Sequence, residues 1–302
     1  MERLLIITPC RNEAEYAEVT LKSICNQTVR PDLWIIVDDG STDETPNILK
    51  KYEERYDFIK VVKKNDRGRR NVGPGVVETF YYGLNSVDYK KYQFICKLDL
   101  DLDIPNKYFE SCIQKFNNDP RLGTFSGKPY VKDGEKVSME PTGDEISVGM
   151  IKLYRTVCFD DIGGFIREVM WDGIDCHLCR LKGWKAQSLD IEELRFIHLR
   201  PMGSSQKSIY TGKKRHGYGQ YYMGTSLLYM LVSVIYRLKY KPYVLGSFCI
   251  LFGYLESMLK GSKRFEFPGF RKHLRMFHLS SLFIGKKRTL ANMNKKIEQE
   301  LK

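Results

Sequence analysis

The sequence predicts an α/β protein, a mostly parallel sheet flanked by helices, followed by a helical C-terminal region of different character. Three observations carry this. Strand and helix signals alternate over residues 1–110. Two apolar, strand-type runs end in clustered aspartates: IIVDDGSTDET from Ile35 to Thr45, and FICKLDLDLDIP from Phe94 to Pro105. The last third is basic and rich in apolar and aromatic residues. Strand–helix alternation favours βαβ units. Carboxylates placed where buried strands reach the surface fit the rule that open α/β sheets bind ligands beyond the carboxyl ends of their strands.

Leu4–Thr8 is the first expected strand. The apolar run in MERLLIITPCRNE is too short for a signal-peptide core, and Glu13 and Glu15 follow it closely. The eight cysteines are therefore expected to be reduced thiols. Glu13–Gln27 reads as a helix with Ala17, Leu21, Ile24 and Cys25 on one face. Leu33–Val37 is a strand, and Asp43–Arg55 a helix whose start carries Asp43, Glu44 and Pro46. Ile59–Lys63 is a strand, Gly75–Leu84 a helix and Gln93–Leu98 a strand. Short strands and loops are expected from about Gly123 to Ile162. Asp172–Lys182 has helical spacing, with Ile174, Leu178 and Leu181 on one face, and Trp184–Ile197 reads as strand and loop. No internal repeat is found.

The aspartates carry the chemistry. Asp99 and Asp101, one residue apart, supply hard oxygen ligands for Mg²⁺ or Mn²⁺, cations that complete their coordination with substrate phosphates. Aspartates are depleted from strands, and Asp99, Asp101 and Asp103 on one face would repel without a cation. Asp38 and Asp39 together exceed what a helix-capping turn needs. RGRRNVGPGVVE fails as a dinucleotide loop, because Glu78 stands where the third glycine belongs. It does bring Arg67, Arg69 and Arg70 to a turn. Asp172 and Asp175 lie about one helical turn apart and can face one cleft; Asp172 alone would satisfy a helix N-terminus. Cys176 and Cys179 form a C-x-x-C without a second pair, inside a helical pattern, which argues against zinc.

With ITPCRNEAEY, SICNQT, VDDGSTDET, RGRRNVGPG, KLDLDLDIP and WDGIDCHLCRLKGW in this order, the chain resembles family-2-type glycosyltransferases of the GT-A fold over roughly residues 3–200. The tail from HLRPMGS onward resembles prokaryotic members that build cell-surface polysaccharides. The resemblance implies a nucleotide-sugar donor and a Mn²⁺ or Mg²⁺ cofactor. It implies that Asp38 and Asp39 hold the nucleoside, with Thr8, Pro9 and Glu13 lining the same pocket, and that Arg70 faces the donor diphosphate. Asp101 would ligate the metal, Asp99 would contact the metal or the ribose, and His198 would complete the metal site. Asp172 or Asp175 would be the general base of an inverting transfer. Relatives often carry Glu-Asp here; this chain has Trp171 before Asp172, which leaves the choice between the two aspartates open.

Residues 195–302 hold 21 Lys and Arg against 4 Asp and Glu, in a chain of formal net charge +12. The expected organisation is a catalytic unit over 1–205, with a nucleotide-binding half (1–110) and an acceptor half (111–205), and a basic, apolar helical region over 206–302. Two apolar runs, Gly217–Tyr236 and Pro242–Leu259, are flanked by Lys and Arg and rich in tyrosine. They read as a monotopic interfacial pair, a spanning hairpin at 217–259, or a helical pair packed on the body. The expected partners are a lipid-linked saccharide acceptor and an anionic membrane surface, on the cytoplasmic face. Nucleic acid is not expected, since the apolar runs suit lipid better than a phosphate ladder. Rival readings are a nucleotidyltransferase acting on sugar phosphates and a catalytically silent membrane- or nucleic-acid-binding protein.

Overall fold

The computed structural model describes residues 2–66, 68, 73–200, 208–239 and 242–299. In chain order the first elements are β1 (Leu4–Cys10), α1 (Ala17–Cys25), β2 (Leu33–Asp38), α2 (Thr45–Arg55), β3 (Ile59–Lys63), α3 (Pro74–Leu84) and β4 (Phe94–Leu98). Then come β5 (Leu102–Asp103), α4 (Tyr108–Asn118), β6 (Leu122–Ser126), β7 (Lys128–Asp133), β8 (Lys136–Met139) and β9 (Ile151–Arg155). They are followed by α5 (Thr156–Asp161), α6 (Trp171–Leu181), β10 (Lys185–Ser188) and β11 (Arg195–His198). The chain continues with α7 (Ile209–Met223), α8 (Leu227–Arg237), α9 (Tyr243–Leu259), α10 (Phe270–Ile284) and α11 (Lys286–Gln299).

Seven strands form the central sheet in the order β10-β6-β9-β4-β1-β2-β3. The β1–β2, β2–β3, β1–β4 and β6–β10 pairs are parallel, and β9 alone runs antiparallel to its neighbours β4 and β6. Side chains alternate across the sheet, so Leu4 and Ile6 of β1 join one core with α1, α2 and α4. Leu5 and Ile7 join the other with α3, α5 and α6. Burial on both faces is why these strands read as unbroken apolar runs. A smaller sheet, β5-β11-β7-β8, stands beside the first. In it β11 pairs antiparallel with β5 and parallel with β7.

Two helix starts differ from the sequence reading. The first helix begins at Ala17, not Glu13. Asn12 has a positive φ of 53°, and the amides of Glu13 and Ala14 donate to the side chains of Thr45 and Asp43. These distant partners hold residues 12–16 as a turn over the sheet edge. The second helix begins at Thr45 because Asp43 bonds the Thr45 and Ala14 amides from outside it.

Of the three readings of 217–259, the spanning hairpin finds no support among the described residues. Gly217–Tyr236 is divided between α7 and α8 at Gly224, which adopts φ 94°, and Ser226 caps α8 by accepting from the Tyr229 amide. Among the described residues no helix is long and apolar enough to cross a membrane. Instead α7 lies backbone-to-backbone on α9. A Cβ on Gly217 would come within 2.0 Å of the Ile250 carbonyl oxygen, and one on Gly253 within 2.0 Å of that of Lys214.

The C-terminal helices pack onto the α/β body. Phe270 and Leu274 of α10 share a core with Trp171 and Ile174 of α6. The joint between them is rich in histidine. His177 of α6 packs edge-on against Phe277 at 5.0 Å and His273 at 5.6 Å, and His278 stacks on Tyr229 of α8 at 3.7 Å. His177 Nδ1, His273 Nε2 and His278 Nδ1 are buried without a hydrogen-bond partner. Burial, reinforced by nearby Arg180 and Lys286, holds all three rings neutral; it pushes His273 down to about 4 and His278 down to about 3. In the unfolded chain these imidazoles titrate near ~6.5. Unfolding therefore takes up protons below that pH, and stability falls as pH drops through it. We expect the melting temperature to decline from pH 7 to pH 5, and His273→Leu to flatten that decline. A wild-type profile flat across this interval would contradict the neutral joint.

Candidate active site

β1, β2 and β4 are parallel neighbours, so their carboxyl ends gather along one edge of the sheet. The turn after β2 places Asp38 and Asp39 there, both buried. Asp38 Oδ1 accepts from the Ser41 amide at 2.9 Å, which shapes the turn, and Asp39 Oδ1 accepts from Lys64 Nζ at 3.2 Å. Arg11, after β1, donates to the Asp39 carbonyl and to Asp66. Pro9 is partly exposed at this edge. Thr8 is fully buried, and its hydroxyl accepts from the Trp34 indole at 2.8 Å, so its side chain braces β1 against β2.

The second acidic motif leaves β4 and crosses to the small sheet. Pairing of β11 with β5 sets His198 opposite Leu102, and the Leu199 amide donates to the Asp101 carbonyl at 2.9 Å. Asp101, Glu13, His198 and Glu140 thereby meet in a buried cluster. His198 Nδ1 is 2.7 Å from Glu140 Oε2, which turns Nε2 toward Asp101 Oδ2 at 3.7 Å. Arg200, two residues beyond the end of β11, donates to Asp101 Oδ2 at 2.7 Å and to Glu13 Oε1 at 2.9 Å. Burial disfavours charge on Asp101, but His198 and Arg200 outweigh it and hold its carboxyl below the ordinary range. Burial likewise opposes a charged imidazole, yet Asp101 and Glu140 push His198 up to about 9.

Whether a divalent cation fits here is tested by Asp101 Oδ1. Among the described residues it is buried without a hydrogen-bond partner, beside an imidazole oriented by a carboxylate. That is the outer support metal-ligating histidines usually have. Among the described residues no group of three or more His, Cys, Asp or Glu is disposed to hold a metal. One or two protein ligands are the normal complement of a cation that also binds substrate phosphates. Asp101 with His198 therefore fits. Asp99 Oδ1 accepts from Lys97, which also donates to the Gly149 carbonyl at 2.8 Å.

The third acidic site separates into two roles. Asp175 is 1% exposed. Lys152 of β9 reaches both of its oxygens at 2.6 Å and the Asp172 carbonyl at 2.7 Å, and the Tyr154 hydroxyl donates to it as well. Burial opposes the Lys152 ammonium, but Asp175 outweighs it and raises the lysine's pKa. Asp172, in the first turn of α6, stays partly exposed, and its carboxylate lies against Gly149; a Cβ there would be 3.0 Å from Oδ2. Lys97 thus ties Asp99 to Gly149, and Gly149 abuts Asp172, so the second and third acidic motifs are neighbours. Cys176 and Cys179 are buried, the latter 3.6 Å from Cys158 Sγ, and all eight cysteines are free thiols.

Arg70, expected at the donor diphosphate, lies outside the described residues. Sequence reasoning missed Arg200, Glu140, Lys97 and Lys152. Arg200 had a signal, its i+2 spacing from His198 on an emerging strand. Glu140 and Lys152 had none, since both reach the site through long-range pairing.

A protein-family model described as "Glycosyl transferase family 2" matches residues 5–171. A poly-beta-1,6-N-acetyl-D-glucosamine synthase of Staphylococcus aureus is 28% identical over 160 residues, covering 52% of this chain and 36% of the relative. The match thus spans about a third of that relative's length. Among solved structures, S. aureus TarS 1-349 in complex with UDP-GlcNAc superposes with a TM-score of 0.53 at 14% identity, covering 99% of this chain and 92% of that one. The mannosyltransferase PcManGT from Pyrobaculum calidifontis, in complex with GDP-Man and Mn²⁺, gives 0.52 at 16% identity, covering 98% and 84%. At such identities the superpositions establish the fold: an α/β sheet of GT-A type flanked by helices.

The Lys152–Asp175 pair generates a direct prediction. Lys152→Met leaves a carboxylate sealed in the core with the Tyr154 hydroxyl and no cation. Removing one partner of a buried pair costs about 3–5 kcal/mol. Urea denaturation should show a loss of that order, and an unchanged midpoint would contradict the pair's anchoring role.

Proposed function

The chain belongs to glycosyl transferase family 2, and from that premise we propose an inverting, metal-dependent transfer of a sugar from a nucleoside-diphosphate donor to a saccharide acceptor. The observation that supports this reading is the bridge from Asp99 through Lys97 and Gly149 to the partly exposed Asp172, which sets the second and third acidic motifs side by side. Membership of a glycosyl transferase family weighs against both the nucleotidyltransferase reading and that of a catalytically silent binding protein.

In this reading the nucleoside lies against Pro9, Asp38 and Asp39 at the strand ends. Asp101 and His198 would hold Mn²⁺ or Mg²⁺, with Asp99 toward the ribose; the bound cation would neutralise charge on the departing diphosphate. Glu13 and Arg200 brace Asp101 from the side opposite His198. Asp172 takes the proton of the acceptor hydroxyl as general base. The hydroxyl oxygen attacks the anomeric carbon as its bond to the diphosphate breaks on the other face, so configuration inverts without a covalent enzyme intermediate. Asp175 does not exchange protons with the acceptor, because Lys152 and Tyr154 hold it in the core.

The acceptor is a polysaccharide or lipid-linked saccharide in cell-surface glycan synthesis, met at the cytoplasmic face of an anionic membrane by the region after residue 205. The polysaccharide synthase among the relatives supports the acceptor class, and the UDP-GlcNAc and GDP-Man complexes of the structural neighbours support the donor class.

The test is release of nucleoside diphosphate from a panel of UDP- and GDP-sugars. Excess EDTA should stop it and Mn²⁺ restore it. Asp101→Asn should abolish it, and should also abolish Mn²⁺ binding in the presence of UDP or GDP, read by paramagnetic relaxation of water. Turnover persisting in EDTA, or release of nucleoside monophosphate, would overturn the reading.

A further inference from the structure

The C-terminal helices expose apolar side chains in register. Leu228 and Ile235, seven apart on α8, Leu245, Phe248 and Phe252 along one stripe of α9, and Phe283 of α10 are 58–85% exposed. The opposite faces are packed: Met230 and Val234 of α8 are buried against Ile250 and Tyr254 of α9. Phe270, Leu274 and Phe277 of α10 are buried as well. Each helix is therefore amphipathic in the reverse sense, one apolar face inward and a second apolar face outward. Monomeric proteins in water rarely expose patches of this extent, which mark protein or membrane contacts.

Beside this face lies a cavity of about 340 Å³ between α7 and α9. Lys214, Arg215, Tyr218, Glu256, Ser257 and Lys260 line it. Glu256 is shared by Lys214 at 2.7 Å and Lys260 at 2.8 Å, so two cations face one carboxylate. Lys214 Nζ also stands 4.9 Å over the ring of Phe252, so one wall of the cavity is the edge of the apolar stripe. On the inner side the Tyr218 hydroxyl donates to Glu168 at 3.2 Å, and Gly219 lies against Met170. Glu168 and Met170 belong to the segment that leads into Trp171 and Asp172. The cavity thus joins an apolar surface to the segment carrying the proposed base.

We propose that the α8–α9–α10 face docks in the plane of an anionic bilayer and that the α7–α9 cavity seats the phosphate of a lipid headgroup, its chains running over Phe252 and Phe248. Charge complementarity selects this occupant over a second copy of the chain, because the cavity and the rest of residues 195–302 are strongly basic and two such surfaces repel. Apolar contact supplies affinity that salt does not remove, and the lysines supply preference for anionic headgroups. The proposal rests on the lipid-acceptor reading for its purpose, but binding is measured without donor or turnover, so the two can fail separately.

The experiment is co-sedimentation of the full chain with vesicles of phosphatidylcholine, alone or mixed with phosphatidylglycerol. The chain should bind the mixed vesicles strongly and the neutral ones weakly. Ile235→Glu with Phe248→Glu should abolish binding to both while leaving donor hydrolysis unchanged. Lys214→Ser with Lys260→Ser should weaken binding to mixed vesicles by about 25-fold, at roughly fivefold per lysine, with circular dichroism unchanged. Equal binding to both vesicle types, or an unaffected lysine variant, would overturn the headgroup site. A chain that ignores all vesicles, or self-associates through this face in sedimentation velocity, would overturn the docking surface.

Discussion

An ammonium and a carboxylate closed on each other at 2.6 Å between sheet and helix set the geometry of the cleft. Lys152 comes from β9, the one antiparallel strand of the main sheet, and holds both the Asp175 side chain and the Asp172 carbonyl. It therefore fixes how α6 rotates and how far it stands from the sheet. With Asp175 locked inward, Asp172, three residues earlier, stays at the exposed start of the helix, against Gly149. Charges so deeply buried are costly unless paired, and the same cost makes the helix position discrete. The Lys152 ammonium also lies 5.5 Å from the centre of the Trp171 ring, so Trp171 packs on the anchor.

Around Asp101 the charges balance by a different device. Asp101, Glu13 and Glu140 face the Arg200 guanidinium and the His198 imidazole, all on short loops or the small sheet. Among the described residues Asp101 Oδ1 has no hydrogen-bond partner. A buried oxygen left over in such a network suits an incoming group, and its position beside the strand ends suits a cation carried with a diphosphate. The two clusters sit on either side of Lys97 and Gly149, which makes that short bridge the link between them.

Much of this was legible in the sequence, and the exceptions have physical causes. The doubly buried strands show as apolar runs, and Ile59–Lys63 appears with its observed limits. The acidic motifs fall at strand ends because parallel strands deliver their carboxyl ends to one edge. The division between Asp172 and Asp175 was not legible, since a spacing of three places both on one side and only the partner from β9 tells them apart. The turn at residues 12–16 was misread as helix because hydrogen bonds from Ser41, Asp43 and Thr45 hold it, some thirty residues away. The break between α7 and α8 did leave a trace in Gly224-Thr225-Ser226, a helix-stop glycine followed by a capping serine.

The central claim, that Asp172 does chemistry and Asp175 does structure, is tested most directly by measuring kcat and the unfolding midpoint for Asp172→Asn and Asp175→Asn side by side. The account predicts that Asp172→Asn keeps the wild-type midpoint and lowers kcat by roughly 10²- to 10⁴-fold, the range for a lost general base. It predicts that Asp175→Asn unfolds markedly earlier. An Asp172→Asn enzyme with near-normal kcat, or an Asp175→Asn enzyme of full stability whose kcat alone collapses, would contradict it.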